Sequence, residues 1–285
     1  MHQHHYTMNT TNRIRSLTLI LIATIMLSAP SASATSEPET HISATLQTTA
    51  IPAPGDSFLL AINLDIVEDW HTYWPGINDT GYGLTYTIDP IPGVTFGEPY
   101  FPTPSRHLAP GNILDHIYED QIQIIIPVTT SHDIESGTDL IINTTINALV
   151  CKDVCIPEST DASITLLFTD YPVRDTNPKI AEAYNARPAT LRDASTDWAD
   201  DLIALNIDNA SHYTFIPDTQ CTQPADLITQ GDTESESLTI SFDRRYEDDP
   251  NAPATLSGRL RVKVIDTWHE FNVHYTQPKH QEPSP

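Results

Sequence analysis

Basic residues are scarce in this 285-residue sequence: 14 Lys and Arg stand against 38 Asp and Glu, a formal net charge of −24. A chain this acidic is repelled by phosphate backbones and carries no basic run to offset the repulsion, which excludes nucleic-acid recognition. Cysteine is rarer still, with three residues, too few and too unevenly placed for a disulfide-dense scaffold. No G-x-S-x-G motif occurs, and no acid/base pair is spaced for nucleophilic catalysis. Apart from one stretch near the N-terminus, no apolar run approaches the ~20 residues that a membrane-spanning helix needs. What is there favours strands. Hydrophobic residues reach 39%, too many for a disordered chain, and the Thr, Ile, Tyr and Pro content suits strands and turns better than helices. The length allows one large domain or two of ordinary size.

The exceptional apolar stretch runs from Leu17 to Leu27, after Arg13 and Arg15 and before Ala32-Ser33-Ala34. A positive start, an apolar core of about a dozen residues and an A-x-A arrangement predict a secretory signal peptide over residues 1–34, cleaved near Ala34. Removing two arginines and no acid changes the mature charge from −24 to −26. All three methionines leave with it. The mature chain is expected in an oxidising compartment where disulfides persist, without spanning a membrane.

Period-two alternation marks Phe58 to Ile66 and Leu140 to Val150 as strands, and Ala162 to Phe168 as another. Gln121 to Val128 is dense in Ile, as a strand buried on both faces would be. Gly, Pro, Asn and Asp cluster between these runs, which predicts an antiparallel sandwich. Pro178 to Tyr184 reads as a short helix with Pro in its first turn. Residues 175–201 are read as an acidic, Ala-rich linker. Strands at Leu202–Ile207, Ser237–Phe242, Leu256–Ile265 and Trp268–Tyr275 predict a smaller β domain over 202–276, with a flexible tail at 277–285.

The chemistry concentrates at Cys151-Lys152-Asp153-Val154-Cys155. A strand runs into Cys151, and β-forming Ile156 follows Cys155. The simplest geometry is a hairpin with the two cysteines opposed across a three-residue loop, about 4.5–5.5 Å apart at Cα and within disulfide range. A five-residue loop stabilises by only about 2 kcal/mol through closure entropy. A redox pair also needs adjacent thiols, so that one resolves a mixed disulfide formed by the other. Spacing alone leaves staple and redox pair both open. Lys152 favours a thiolate and Asp153 opposes it. Metal binding is a poorer fit: structural zinc wants paired short-spacing motifs, His116 and His132 lie well upstream, and the mature chain has no Met for copper(I). No cofactor or metal is expected. Cys221 is read as a small buried hydrophobe without a role. Asp69-Trp70-His71-Thr72-Tyr73-Trp74 is read as aromatic core packing at a strand end, with His71 as a hydrogen-bonded packing residue.

Trp70-His71-Thr72-Tyr73-Trp74 together with Cys151-Lys152-Asp153-Val154-Cys155-Ile156-Pro157-Glu158 closely resembles the N-terminal periplasmic domain of DsbD-type disulfide reductases, including the Scs-type branch. Pro102 to Arg106, Ile117 to Asp120, Phe215-Ile216-Pro217-Asp218 and Leu256-Ser257-Gly258 fall where that family has similar pieces. The resemblance implies an immunoglobulin-like domain over 35–174 in the periplasm, with Cys151 and Cys155 as the catalytic pair of a thiol–disulfide relay. By analogy, Cys155 is the cysteine that attacks or is attacked first. The turn Pro75 to Gly81 departs in register from the family's. Arg106 to Leu114, aligned with an aromatic cap loop in the best-studied branch, has no aromatic residue. The family's membrane segment and thioredoxin-like domain are absent from this sequence. The implied partners are therefore a separate membrane thiol-electron transporter (DsbD/CcdA-like) and periplasmic substrate proteins. A non-catalytic binding module with a structural disulfide, tied to cytochrome maturation or metal tolerance, is the competing expectation.

Overall fold

Alternating apolar residues build two facing sheets. The computed structural model describes residues 40–278 except 248, 250 and 251; the expected leader and the end of the tail lie outside the described residues. The first half comprises β1 (Ile42–Thr48), β2 (Ala50–Ile51), β3 (Ser57–Ile66), β4 (His71–Tyr73), β5 (Thr85–Ile88), β6 (Val94–Phe96), β7 (Ser105–Ala109), β8 (Ile113–Glu119), β9 (Gln121–Thr130), β10 (Asp139–Cys151), β11 (Cys155–Leu167) and β12 (Val173–Arg174). One sheet has the order β1-β3-β9-β6; the other runs β11-β10-β4-β8-β7, with β5 also on β10. Leu60, Ile62 and Leu64 of β3 and Ile124 and Ile126 of β9 meet Leu140, Ile142 and Ile146 of β10 between the sheets. Each such side chain contributes about 1.5–3 kcal/mol when fully buried. This is the expected immunoglobulin-like antiparallel sandwich.

The Ile density of β9 has a specific cause. Ile125 turns away from the sandwich and packs with Ala61 beneath Ile180 of α1 (Pro178–Asn185). The strand is covered on both faces, as its composition predicts. Pro178 sits in the first turn of α1, where its missing N–H leaves no bond unmade. The stretch read as a linker is thus anchored, with Ile180 fully buried. It continues into β13 (Ala189–Thr190) and β14 (Ser195–Ala199), which belong to the second domain.

That smaller β domain adds β15 (Leu202–Asn206), β16 (Ala210–Pro217), β17 (Asp232–Thr233), β18 (Ser237–Ser241), β19 (Thr255–Val264) and β20 (Thr267–Thr276). Sheets β13-β20-β19-β16-β17 and β14-β15-β18 enclose Leu205, Tyr213, Phe215, Ile240 and Leu260. β16 is a strand the sequence pattern did not predict. Its neighbours Phe215 and Ile216 are both buried but join different cores, Phe215 its own domain's and Ile216 the first domain's. A strand covered on both faces shows no alternation.

Polar contacts join the two domains. Trp74 Nε1 donates to Pro217 O at 2.9 Å. Arg106 of β7 donates to Gly231 O at 2.8 Å and Leu227 O at 2.9 Å. Arg259 Nη2 donates to Phe101 O at 3.1 Å.

Candidate active site

Cys151 ends β10 and Cys155 begins β11, and they form the last cross-strand pair of the hairpin. The loop Lys152-Asp153-Val154 is closed by Lys152 N–H donating to Val154 O at 3.2 Å. The sulfurs are bonded, with the Cα atoms 4.1 Å apart, somewhat closer than the spacing predicted for opposed residues. Two thirteen-residue strands, the longest described, carry the disulfide at their tip. The two cysteines differ in access. Cys151 is 2% exposed and packs with Tyr73 and Ile117, whereas Cys155 is exposed.

β4 lies beside β10 with His71 opposite Cys151. Tyr73, two residues on, therefore shares His71's face of the sheet. Its hydroxyl donates to Cys151 Sγ at 3.2 Å and stands 3.8 Å from Cys155 Sγ. Burial raises the Tyr73 pKa, so the hydroxyl stays protonated as a donor. The Tyr73 ring lies against Gly81: a Cβ there would fall 2.1 Å from a ring carbon, so this turn position requires Gly. The same turn is stitched to β8. Asp79 Oδ2 accepts from Leu114 N at 2.6 Å, and Asp115 accepts from Thr80 N at 2.9 Å and Thr80 Oγ1 at 2.6 Å. The aromatic segment read as plain core packing thus divides by face. Trp74 enters the sandwich core, and Tyr73 serves the disulfide. Alternation along a strand is the signal that separates them, but it needs the position of β4 beside β10 to become informative.

His71 is not the hydrogen-bonded packing residue expected. Among the described residues its ring has no hydrogen-bond partner; it packs edge-on against Tyr73 at 5.4 Å and lies 5.6 Å from the His107 ring. Burial, and then His107, lower its pKa, which favours the neutral ring. Lys152, weighed in the sequence only against Asp153, meets a second acid. Its Nζ pairs with Asp69 Oδ2 at 3.0 Å, and that hydrogen bond raises its pKa. With Asp69 as its neighbour, Lys152 is not a free cation for a thiolate. The segment aligned with the family's cap is the β7–β8 hairpin, which brings His107 beside His71.

The other flagged residues lie apart. Cys221 is buried in the second domain's core, and burial pushes its thiol pKa up to about 12. His116 is fully buried; its Nδ1 bonds Ile77 O at 2.9 Å, and burial lowers its pKa to about 4. His132 packs against Gly55. Among the described residues no three His, Cys, Asp or Glu side chains converge as metal ligands, and no helix is long and apolar enough to cross a membrane.

A cross-strand disulfide at the tip of an immunoglobulin-like sandwich, with one sulfur open and the other held under a tyrosine, defines the class of domain. Residues 40–167 match the family model of the N-terminal domain of thiol:disulfide interchange protein DsbD. This segment is a DsbD N-terminal-type domain, as the resemblance implied. The N-terminal periplasmic domain of ScsB from Proteus mirabilis has a similar fold through both domains, at 15% identity and a TM-score of 0.52, covering 81% of this chain and 92% of that one. The reduced DsbD N-terminal domain of Neisseria meningitidis is 13% identical, covering 45% of this chain and 90% of that one, with a TM-score of 0.28. No curated protein matches the sequence.

Proposed function

We propose that this chain is a periplasmic thiol–disulfide interchange protein. In this reading it is exported by the signal peptide over residues 1–34 and relays electrons through Cys151 and Cys155. The electron source is a separate membrane thiol-electron transporter, and the recipients are periplasmic proteins with disulfides. The observation that carries this reading is the unequal access of the two cysteines. A partner thiolate attacks the exposed Cys155 Sγ, the S–S bond breaks, and its electron pair leaves on Cys151 Sγ, toward which the Tyr73 O–H already points. The partner's second thiolate then attacks the mixed disulfide and frees Cys155. The partner ends as a disulfide, and the pair has gained two electrons and two protons. In delivery the Cys155 thiolate attacks a substrate disulfide and Cys151 resolves the adduct.

The test is trapping. Cys151→Ala removes the resolving thiol and should accumulate a covalent adduct through Cys155, whereas Cys155→Ala should accumulate none. The double variant should stay folded, less stable by about 2 kcal/mol. The reduction potential should lie above about −300 mV, below which structural disulfides typically fall. A potential below that value, with no adduct from either variant, assigns the disulfide to a structural staple instead.

A further inference from the structure

We infer that the cleft where α1 and the two β domains meet binds a carboxylate attached to a flat apolar body. The cavity holds about 500 Å³, within the range of small-molecule sites, which favour domain junctions. Trp74 and Tyr100 line it from the first domain, Tyr184 and Arg187 from the connecting segment, and Arg259 and His274 from the second domain. Three segments singled out in the sequence converge here: Trp74 of the aromatic run, Asp218 after Pro217, and Ser257-Gly258. Gly258, at φ +150°, is required by the fold, because a Cβ there would fall 2.1 Å from Ile216 O.

The two guanidiniums identify the ligand's charge. Arg259 lies 5.9 Å from the Trp74 ring and 5.5 Å from the Tyr100 ring, and Arg187 lies 3.9 Å from the Tyr184 ring. Their hydrogen bonds go to neutral carbonyls, from Arg259 to Phe101 and from Arg187 to Tyr184. Arg259 Nε is buried without an acceptor. Among the described residues no carboxylate lies within salt-bridge distance of either, whereas Arg174, Arg244 and Arg245 each have one. Glu270 interacts with Arg259 without a direct ion pair, and burial raises its pKa against the pull of Arg259 and Arg261. In a chain with 38 acids and 14 bases, two arginines on one cavity without a direct ion pair point to an anionic occupant. The acids on the wall do not supply it. Both oxygens of Asp218 are engaged, by Gln220 N and Ser257 Oγ, and Glu98 is exposed. Guanidinium forks match carboxylates in shape and charge, and the partly exposed rings of Tyr100 and Tyr184 offer apolar surface for a flat group.

The inference does not depend on the redox reading, so its test uses the oxidised mature protein. Backbone amide NMR shifts are followed while phenylacetate, an acetylated tripeptide ending in a free phenylalanine carboxylate, or the same tripeptide amidated at its C-terminus is added. Phenylacetate, the free-acid peptide or both should shift the amides of Arg259, Asn272 and His274; which one does so distinguishes a small acid from a peptide end. The amidated peptide should bind at least tenfold more weakly than its acid, roughly the value of a hydrogen bond to a charged group. Arg187→Gln and Arg259→Gln should each weaken the bound acid by roughly tenfold. Arg187 is exposed, so its variant carries the test should Arg259→Gln disturb the fold. Absence of shifts with both acids, equal binding of amide and acid, or wild-type binding by Arg187→Gln would overturn the assignment.

Discussion

The Tyr73 hydroxyl stands 3.2 Å from Cys151 Sγ and 3.8 Å from Cys155 Sγ, closer to the buried sulfur than to the exposed one. A donor aimed at the departing sulfur stabilises it as a thiolate. Tyr73→Phe keeps the ring against Gly81 and deletes the donor. The Cys151 thiol pKa should rise by about one unit, the scale of a modest charge-assisted hydrogen bond. Reduction of the disulfide by dithiothreitol at fixed pH should slow by up to about tenfold. Stopped-flow rates equal to wild type would remove Tyr73 from the exchange.

Cys221 should be chemically silent. Its buried thiol, with a pKa of about 12, yields almost no thiolate at pH 8, and the thiolate is the nucleophile. Alkylation of the reduced native protein should modify Cys151 and Cys155 alone, with Cys221 reacting only in denaturant. Intact-mass spectra count the added groups, and rapid native labelling of Cys221 would contradict its burial.

His116 makes stability depend on pH. Its folded pKa of about 4 lies below the ordinary value near 6.5. Between those values the unfolded chain takes up a proton that the folded chain refuses, so stability falls as pH drops from about 6.5 toward 4. At roughly 1.4 kcal/mol per pKa unit the loss from this group approaches 3 kcal/mol. His116→Asn can still donate to Ile77 O and does not titrate, so urea midpoints at pH 7 and pH 4.5 should differ less in the variant than in wild type.

Arg106 ties β7 to the second domain through the carbonyls of Leu227 and Gly231. Arg106→Ala leaves both without that donor and should cost about 1.5–3 kcal/mol, the range for hydrogen bonds to a charged group. Arg106→Lys should recover only part, because an ammonium does not reproduce the fork. Urea unfolding curves measure both variants.

Legibility in the sequence followed from how each strand is covered. β10 buries one face and shows clean alternation; β3 alternates from Phe58 to Ile66 although Ala61 on its other face is also buried; and β9 announced its double burial through its isoleucines. β16 escaped because its consecutive residues Phe215 and Ile216 answer to two different cores. The cysteine hairpin was readable because opposition of Cys151 and Cys155 is local, set by the three-residue loop. Tyr73 was not, since its contact with Cys151 spans 78 residues and depends on β4 pairing with β10. The ion pair of Lys152 was hidden for the same reason: its partner Asp69 comes from the turn before β4, 83 residues away.

The anchorage of α1 between Ala61 and Ile125 leaves the connection between the domains without slack. A disulfide mounted on such a body is not swung toward a partner on a leash; both domains travel with it. Encounters are then governed by whole-body diffusion and by how often the hairpin tip happens to face forward, a constraint that holds typical protein association to roughly 10⁵–10⁷ M⁻¹s⁻¹. A body with a net charge of −24 also repels acidic collaborators over a Debye length of about 8 Å at physiological salt. Ionic strength thus becomes a throttle on its traffic, opening as salt rises for acidic partners and closing for basic ones.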